Sequence, residues 1–312
     1  MNRSLLIAPV VLLAATAGCE SKSSKSDHGH AHGSATHEHK PAPPDATAVA
    51  VAKTTSGPFT MALTPAAELS PGKPAPLTLA LQDAAGTPVT ALDVIHEKLL
   101  HLIVVSPDLS FFTHLHPEAR PDGTYAAELT APAPATYVAF ADFKPTGAPQ
   151  SVARGTLAVA GDPAAAVGLE AKALPSRGTF DGFEVSLRSK APLVAGADAV
   201  LEFEISEKGA PVADLQNHLG ARGHCIIISE DTTTFLHSHP LGGTGAKVQF
   251  HTTIPAAGKY KVWGEFRPAG KPLLASFVVD VPAELAAPKA KPHGHSHGKG
   301  KDHDHGPGGH TH

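Results

Sequence analysis

The sequence predicts an all-β chain: two tandem antiparallel β-sandwich domains, immunoglobulin-like or cupredoxin-like, between disordered N- and C-terminal tails. Three observations carry this expectation. The 312 residues include 29 Gly and 29 Pro, a load that keeps long helices out and suits short strands joined by many turns. The middle of the chain superposes on itself at a shift of 123 positions, without a gap. Each copy breaks into seven short β-branched or aromatic runs separated by Gly/Pro/Asp clusters.

Composition also removes several function classes. A net charge of −4 gives no basic footprint, so nucleic acid is not an expected partner. Two cysteines make neither a disulfide framework nor a four-thiolate metal site, and two Met make no thioether copper(I) tract. Histidine is the outlier, at 21 residues.

Residues 1–18 read as a secretory signal, with Arg3 before the apolar stretch Leu5–Ala15 and small residues after it. That stretch is too short to span a bilayer, which needs roughly 20 residues. The segment Leu12-Leu-Ala-Ala-Thr-Ala-Gly18-Cys19 resembles the lipobox of bacterial lipoproteins, with Thr16 where Leu is more usual. The resemblance implies cleavage before Cys19, a lipid on its sulfur, and a periplasm-facing position in the cell envelope. Cys225 would then be the remaining thiol, expected to be buried and structural.

Residues 19–57 form a polar linker with His28, His30, His32, His37 and His39. Residues 285–312 form a tail with His293, His295, His297, His303, His305, His310 and His312. Neither segment has apolar periodicity, so neither can offset its ordering entropy by burial. Imidazoles spaced two residues apart on such a chain can chelate Cu(II), Zn(II) or Ni(II) with little selectivity, and lose them as pH falls below about 6.5.

Between them lie β-sandwich repeat 1 (58–161) and repeat 2 (178–284). In repeat 1 the strand-like runs fall near Phe59–Thr64, Leu77–Leu81, Leu100–Val105, Phe111–His116, Tyr125–Leu129, Thr136–Phe143 and Val152–Val159. Repeat 2 has them near Phe183–Arg188, Ala199–Ile205, His224–Ser229, Thr234–His239, Lys247–Thr252, Lys259–Phe266 and Leu273–Val281. The joint is expected near Gly161–Thr179. Aligned from Leu77 to Gly147, the copies share 19 identities. Among them are Gly86, Pro88, Val89 and Leu92 with Gly209, Pro211, Val212 and Leu215.

Both copies carry His-x12-His-x-His-Pro, at His101, His114 and His116 and at His224, His237 and His239. Residues two apart on a strand point from one face. If the hairpin loop Ser106–Ser110 pairs position 101 with 114 or 116, three imidazoles share that face, close enough for ring nitrogens to reach one ion. A slip of one residue would send the leading histidine behind the sheet. Two aligned columns stay ligand-competent: Glu128 with His251, and Asp142 with Glu265. Either could complete the sphere or orient an imidazole. His96 and His218, one residue out of register, are weaker candidates.

These motifs resemble a group of secreted bacterial β-sandwich repeats, the YtkA-like and heavy-metal-associated proteins. The shared elements are Gly-x-Pro-Val-x-x-Leu, Phe-x-His-x-His-Pro, and Pro255-Ala-Ala-Gly258-Lys-Tyr260-Lys-Val-Trp263. Repeat 1 departs from the last element, with Ala135 and Phe140 at the Gly and Trp places. The resemblance implies a periplasmic, metal-associated role. No Cys lies where a blue-copper site needs one.

The expected function is therefore capture, buffering or delivery of a divalent transition metal, Cu, Zn or Ni, by a lipid-anchored protein. A metal transporter or efflux component is the expected recipient. The alternative is a cell-envelope scaffold or adhesion module whose histidines are structural. With no nucleophile elbow, phosphate loop or cofactor fingerprint, an enzyme is not expected.

Overall fold

The computed structural model describes residues 58–284 except 219, 239 and 242–244. The signal segment, Cys19, both His-rich tails and His239 lie outside the described residues. Within them the chain is all-β, with no helix.

Repeat 1 contains β1 (Thr60–Pro65), β2 (Pro74–Gln82), β3 (Leu92–Asp93), β4 (Leu100–Val105), β5 (Phe112–Leu115), β6 (Glu118–Ala119), β7 (Tyr125–Thr130), β8 (Ala135–Pro145) and β9 (Ser151–Val159). Repeat 2 contains β10 (Ser176–Phe180), β11 (Phe183–Ser189), β12 (Asp198–Glu207), β13 (Ala210–Pro211) and β14 (Leu215–Gln216). It continues with β15 (His224–Ser229), β16 (Phe235–Ser238), β17 (Lys247–Thr253), β18 (Gly258–Pro268) and β19 (Leu273–Val281). Each expected run is a strand. The joint is shorter than expected, because β10 already occupies Ser176–Phe180 and pairs with β11.

Each repeat is two antiparallel sheets. Repeat 1 sets β1-β2-β7-β6 against β3-β8-β4-β5, with β9 also on β8. Repeat 2 sets β10-β11-β12-β13, with β17 on β12, against β14-β18-β15-β16, with β19 on β18. Tyr137 and Tyr260, at equivalent places, donate their hydroxyls to the carbonyls of Ala133 and Ala256, pinning the same corner in both copies.

The strands β4 and β15 are buried on both faces. Alternation explains how. Leu100, Leu102 and Val104 enter the core of repeat 1, and Cys225 and Ile227 enter that of repeat 2. The intervening Ile103, Val105, Ile226 and Ile228 join a third core that belongs to both repeats, with Phe140, Phe235 and Trp263. Phe112 stacks on Trp263 at 4.9 Å between ring centres, and Phe140 on Phe235 at 4.7 Å. The shift of 123 maps one pair onto the other, so the sheets face each other with approximate two-fold symmetry. Such aromatic pairs contribute about 0.5–1.5 kcal/mol each beyond their buried area.

Candidate metal centre

The same alternation that sends Ile103 and Val105 into the shared core places His101 on that face too. Asp142 on β8 follows Phe140 there, and Glu265 on β18 follows Trp263. The shared face is therefore apolar over most of its length and ends in imidazoles and carboxylates.

The register gathers the triad. Leu102 pairs with Leu115 and Ile103 with His114, which puts His101 opposite His116. The hairpin loop fixes this pairing: Asp108 Oδ1 accepts from the Ser106 and Ser110 hydroxyls and the Ser110 N–H, and Leu109 turns left-handed at φ 58°. Repeat 2 repeats the loop with Ser229, Asp231 and Thr233, and pairs Ile226 with His237.

One ligand atom from each of His101, His114 and His116 lies within 4.8 Å of the other two. His101 Nδ1 is 2.9 Å from His114 Nε2 and 3.2 Å from His116 Nε2. Two nitrogens bound to one ion at 2.0–2.1 Å and tetrahedral angles stand about 3.3 Å apart, so the spacing suits a shared ion.

Proton placement sharpens this. His101 Nε2 donates to the Ile95 carbonyl at 3.0 Å, and a carbonyl can only accept. In the neutral ring Nδ1 is then a lone pair. His114 Nδ1 donates to Glu265 Oε2 at 2.7 Å, which turns Nε2 toward His101. His101 Nδ1 and His114 Nε2 thus face each other at 2.9 Å. His116 Nε2, at the half-buried rim, stands 3.2 Å from the same His101 nitrogen, and a cation at that point would meet all three nitrogens.

Repeat 2 mirrors the arrangement. His224 Nε2 donates to the His218 carbonyl at 3.0 Å, and His224 Nδ1 lies 3.2 Å from His237 Nε2. His237 Nδ1 meets Asp142 Oδ2 at 2.8 Å. Each carboxylate thus crosses the interface: Glu265 of repeat 2 orients His114 of repeat 1, and Asp142 of repeat 1 orients His237 of repeat 2. The two sets merge, with ring centres of His101 and His237 at 5.4 Å and of His114 and His224 at 5.8 Å.

Burial sets the protonation. Desolvation pushes His101 and His116 down to about 4 and His224 to about 3, reinforced by the neighbouring imidazoles. His237 is driven well below its ordinary value by the same causes, and His96 and His218 are lowered by burial first. These rings are neutral at pH 7, the form a metal requires. Burial pushes the Asp142 carboxyl up, against the pull of Gln150 and the facing imidazoles. Burial also opposes ionisation of Glu265, but the charge of and hydrogen bond from His114 leave it net lowered.

Two sequence expectations are corrected. Glu128 sits exposed on β7 opposite Pro76, in the sheet that faces away from the shared core. His251 sits on β17 opposite Val200, 39% exposed, with Nε2 3.7 Å from Asp198. Neither reaches the centre, because both belong to the outer sheets. The Asp142/Glu265 column is where the sequence put a ligand or an orienting group, and it orients, but across the repeats. His96 stands beside the cluster, its ring centre 5.9 Å from that of His101 and 6.0 Å from those of His224 and His237. Cys225 faces the core of repeat 2, where burial pushes its thiol up.

The profile of the DUF8832 family, described as a domain of unknown function, matches residues 52–161 and 178–283. It is this family, rather than the YtkA-like group, whose profile matches the chain. No curated protein matches. Among solved structures, trypsin-activated alpha-2-macroglobulin from Escherichia coli overlaps 74% of this chain and 16% of its own, at 12% identity and a TM-score of 0.24. A Salmonella alpha-2-macroglobulin overlaps 77% and 16%, at 13% identity and 0.24. The S-layer protein SbsC overlaps 75% and 29%, at 13% identity and 0.19. This chain thus spans under a third of each, and scores so low transfer no arrangement or activity to it.

Proposed function

For a chain that belongs to the DUF8832 family, with two copies of its domain, we propose a lipid-anchored, periplasm-facing protein that captures, buffers or delivers a divalent transition metal. Cu, Zn and Ni all suit imidazole donors. The folded centre between the repeats is the selective site, and the His-rich tails collect ions with less discrimination. Cys19 carries the lipid, and a metal transporter or efflux component receives the cargo.

The observation that carries this reading is the convergence of His101 Nδ1, His114 Nε2 and His116 Nε2 on one point, with His101 Nδ1 2.9 Å from the second and 3.2 Å from the third. Charge logic favours capture over turnover. Glu265 and Asp142, the nearest carboxylates, each hydrogen-bond an imidazole. Neither is at hand as a general base for a metal-bound water.

A scaffold reading has one observation in its favour: the shared apolar core joins the repeats through aromatic stacking that needs no ion. Calorimetric titration of residues 58–284 with Zn(II), Cu(II) and Ni(II) separates the two. Metal capture predicts tight binding that His101→Ala/His114→Ala/His116→Ala removes from the repeat 1 half. A triple variant that keeps both metal affinity and melting temperature supports the scaffold.

A further inference from the structure

Access to the repeat 1 triad is narrow. His101 is fully buried and the His114 side chain is 1% exposed, so neither ring meets an ion arriving from water. His116 is half-buried, and Glu265, behind His114, is 13% exposed, near enough for its charge to act on His116. Water therefore reaches the triad beside His116, with a carboxylate close by to draw a cation in.

Strand β19 supplies the edge of this opening. Leu273, Ala275, Phe277 and Val279 enter the core of repeat 2, so by alternation Leu274, Ser276 and Val278 turn to the shared face. Val278 packs on the shared core there, while Leu274, opposite Glu265 in the ladder, is 36% exposed. Side chains directly opposite on one face have Cβ atoms about 4.5–5.5 Å apart, so Leu274 stands against the Glu265 side chain. The matching place beside Asp142 is Val152, which is 4% exposed and part of the shared core. Gln150 closes that end further by donating to Asp142. An apolar side chain whose counterpart is buried is thus left in water at the edge of the triad.

Coordination chemistry gives this exposure a use. Among the described residues, His101, His114 and His116 are the whole group able to hold an ion. Three imidazoles leave one position of a tetrahedral ion unfilled. An acceptor's N, O or S atom can bond there before any imidazole lets go. The bond that breaks next is that of the least enclosed ligand: His116 Nε2 keeps its lone pair, the ion keeps its charge, and no electron is transferred.

We propose that the edge formed by His116, Glu265 and Leu274 is the port through which the triad exchanges its ion, with His116 the ligand displaced first and Leu274 the side chain that an incoming donor group must pass. This rests on the metal-binding reading above and deepens it. The ion leaves by ligand substitution with an acceptor that presents a donor atom, not as a free ion released when the repeats part.

The test uses the full chain loaded with Zn(II), EDTA as the acceptor, and the variants Leu274→Trp, Leu274→Ala and Leu241→Trp. Leu241, 55% exposed on repeat 2, is the control for a bulky ring on an exposed leucine. Zinc loading and the slow phase of zinc removal are timed against EDTA concentration, and melting temperature checks that each chain is folded. The wild-type removal rate should rise with EDTA concentration. Leu274→Trp should slow loading and removal together, each by about tenfold, so that affinity moves far less than either rate. Leu274→Ala should exchange at least as fast as wild type, and Leu241→Trp should match it. A removal rate independent of EDTA concentration, or any other order of the four chains, overturns the port while leaving the triad standing. Wild type that retains no zinc overturns the metal-binding reading and this one with it.

Discussion

The two halves of the centre share a plan but differ in burial. In repeat 1, β5 is half-buried, His116 lies at the rim, and the orienting carboxylate Glu265 is part-exposed and net lowered. In repeat 2, β16 is buried throughout, and its carboxylate Asp142 is fully enclosed, held by Gln150 and pushed up. Duplication supplied identical histidines; the difference lies in how much water each copy's partner keeps. An ionised carboxylate behind an imidazole strengthens it as a donor. The repeat 1 half should therefore be the tighter and faster-exchanging one, and the repeat 2 half the slower.

The largest effect that breaks this contrast is expected from Glu265→Gln. Loss of the charge behind His114 should cost about 10–100-fold in affinity at the repeat 1 triad, although the substitution lies in repeat 2. Asp142→Asn should act the other way round, on His237, and by less than about tenfold, since burial already drives Asp142 toward its neutral form. Asp142 accepts from both Gln150 and His237, and an Asn amide would set its N–H2 against one of these donors, so zinc-free Asp142→Asn should melt below wild type. Paired zinc titrations and melting curves check both; equal losses from the two substitutions would erase the contrast.

The smallest effect is in pH. In the unfolded chain these imidazoles protonate near 6.5, whereas in the fold His101 and His116 hold out to about 4 and His224 to about 3. Between those limits the unfolded state binds more protons, so the stability of the metal-free protein rises with pH across the window and falls on acidification. Melting temperature followed from pH 7 down to pH 4 should drop steadily. Bound zinc should persist below pH 6, where tail histidines release theirs. A flat melting profile contradicts the burial argument.

The fold was legible because the signals were local and repeated. Alternating runs located seven strands in each copy but not the two-residue pair β3 and β14, and the Ser106–Ser110 loop with its spacing to His114 and His116 implied the register. What escaped was everything between the repeats. Two signals pointed that way. Leu102–Val105 and Cys225–Ile228 are unbroken apolar runs, and a sandwich strand with one face in water alternates instead. They announced a second buried face, and with it a partner sheet. The swap of Asp142 and Glu265 could not be read within one copy, because an aligned column shows that a carboxylate is retained but not whose imidazole it serves. His96 falls outside the strand pattern on which the histidine alignment depends, because its turn is left-handed. Glu128 and His251 were misleading for a related reason, since ligand chemistry at aligned positions does not tell the inner sheet from the outer.

The central claim is that three imidazoles of repeat 1 share one ion at the junction of the repeats. Diffraction from zinc-loaded crystals of the protein, purified without metal-affinity resin and recorded on both sides of the zinc edge, tests it most directly. The account predicts an anomalous peak about 2.0–2.1 Å from each of His101 Nδ1, His114 Nε2 and His116 Nε2. Well-ordered rings with no peak among them, or zinc found only on surface histidines such as His251, would contradict it.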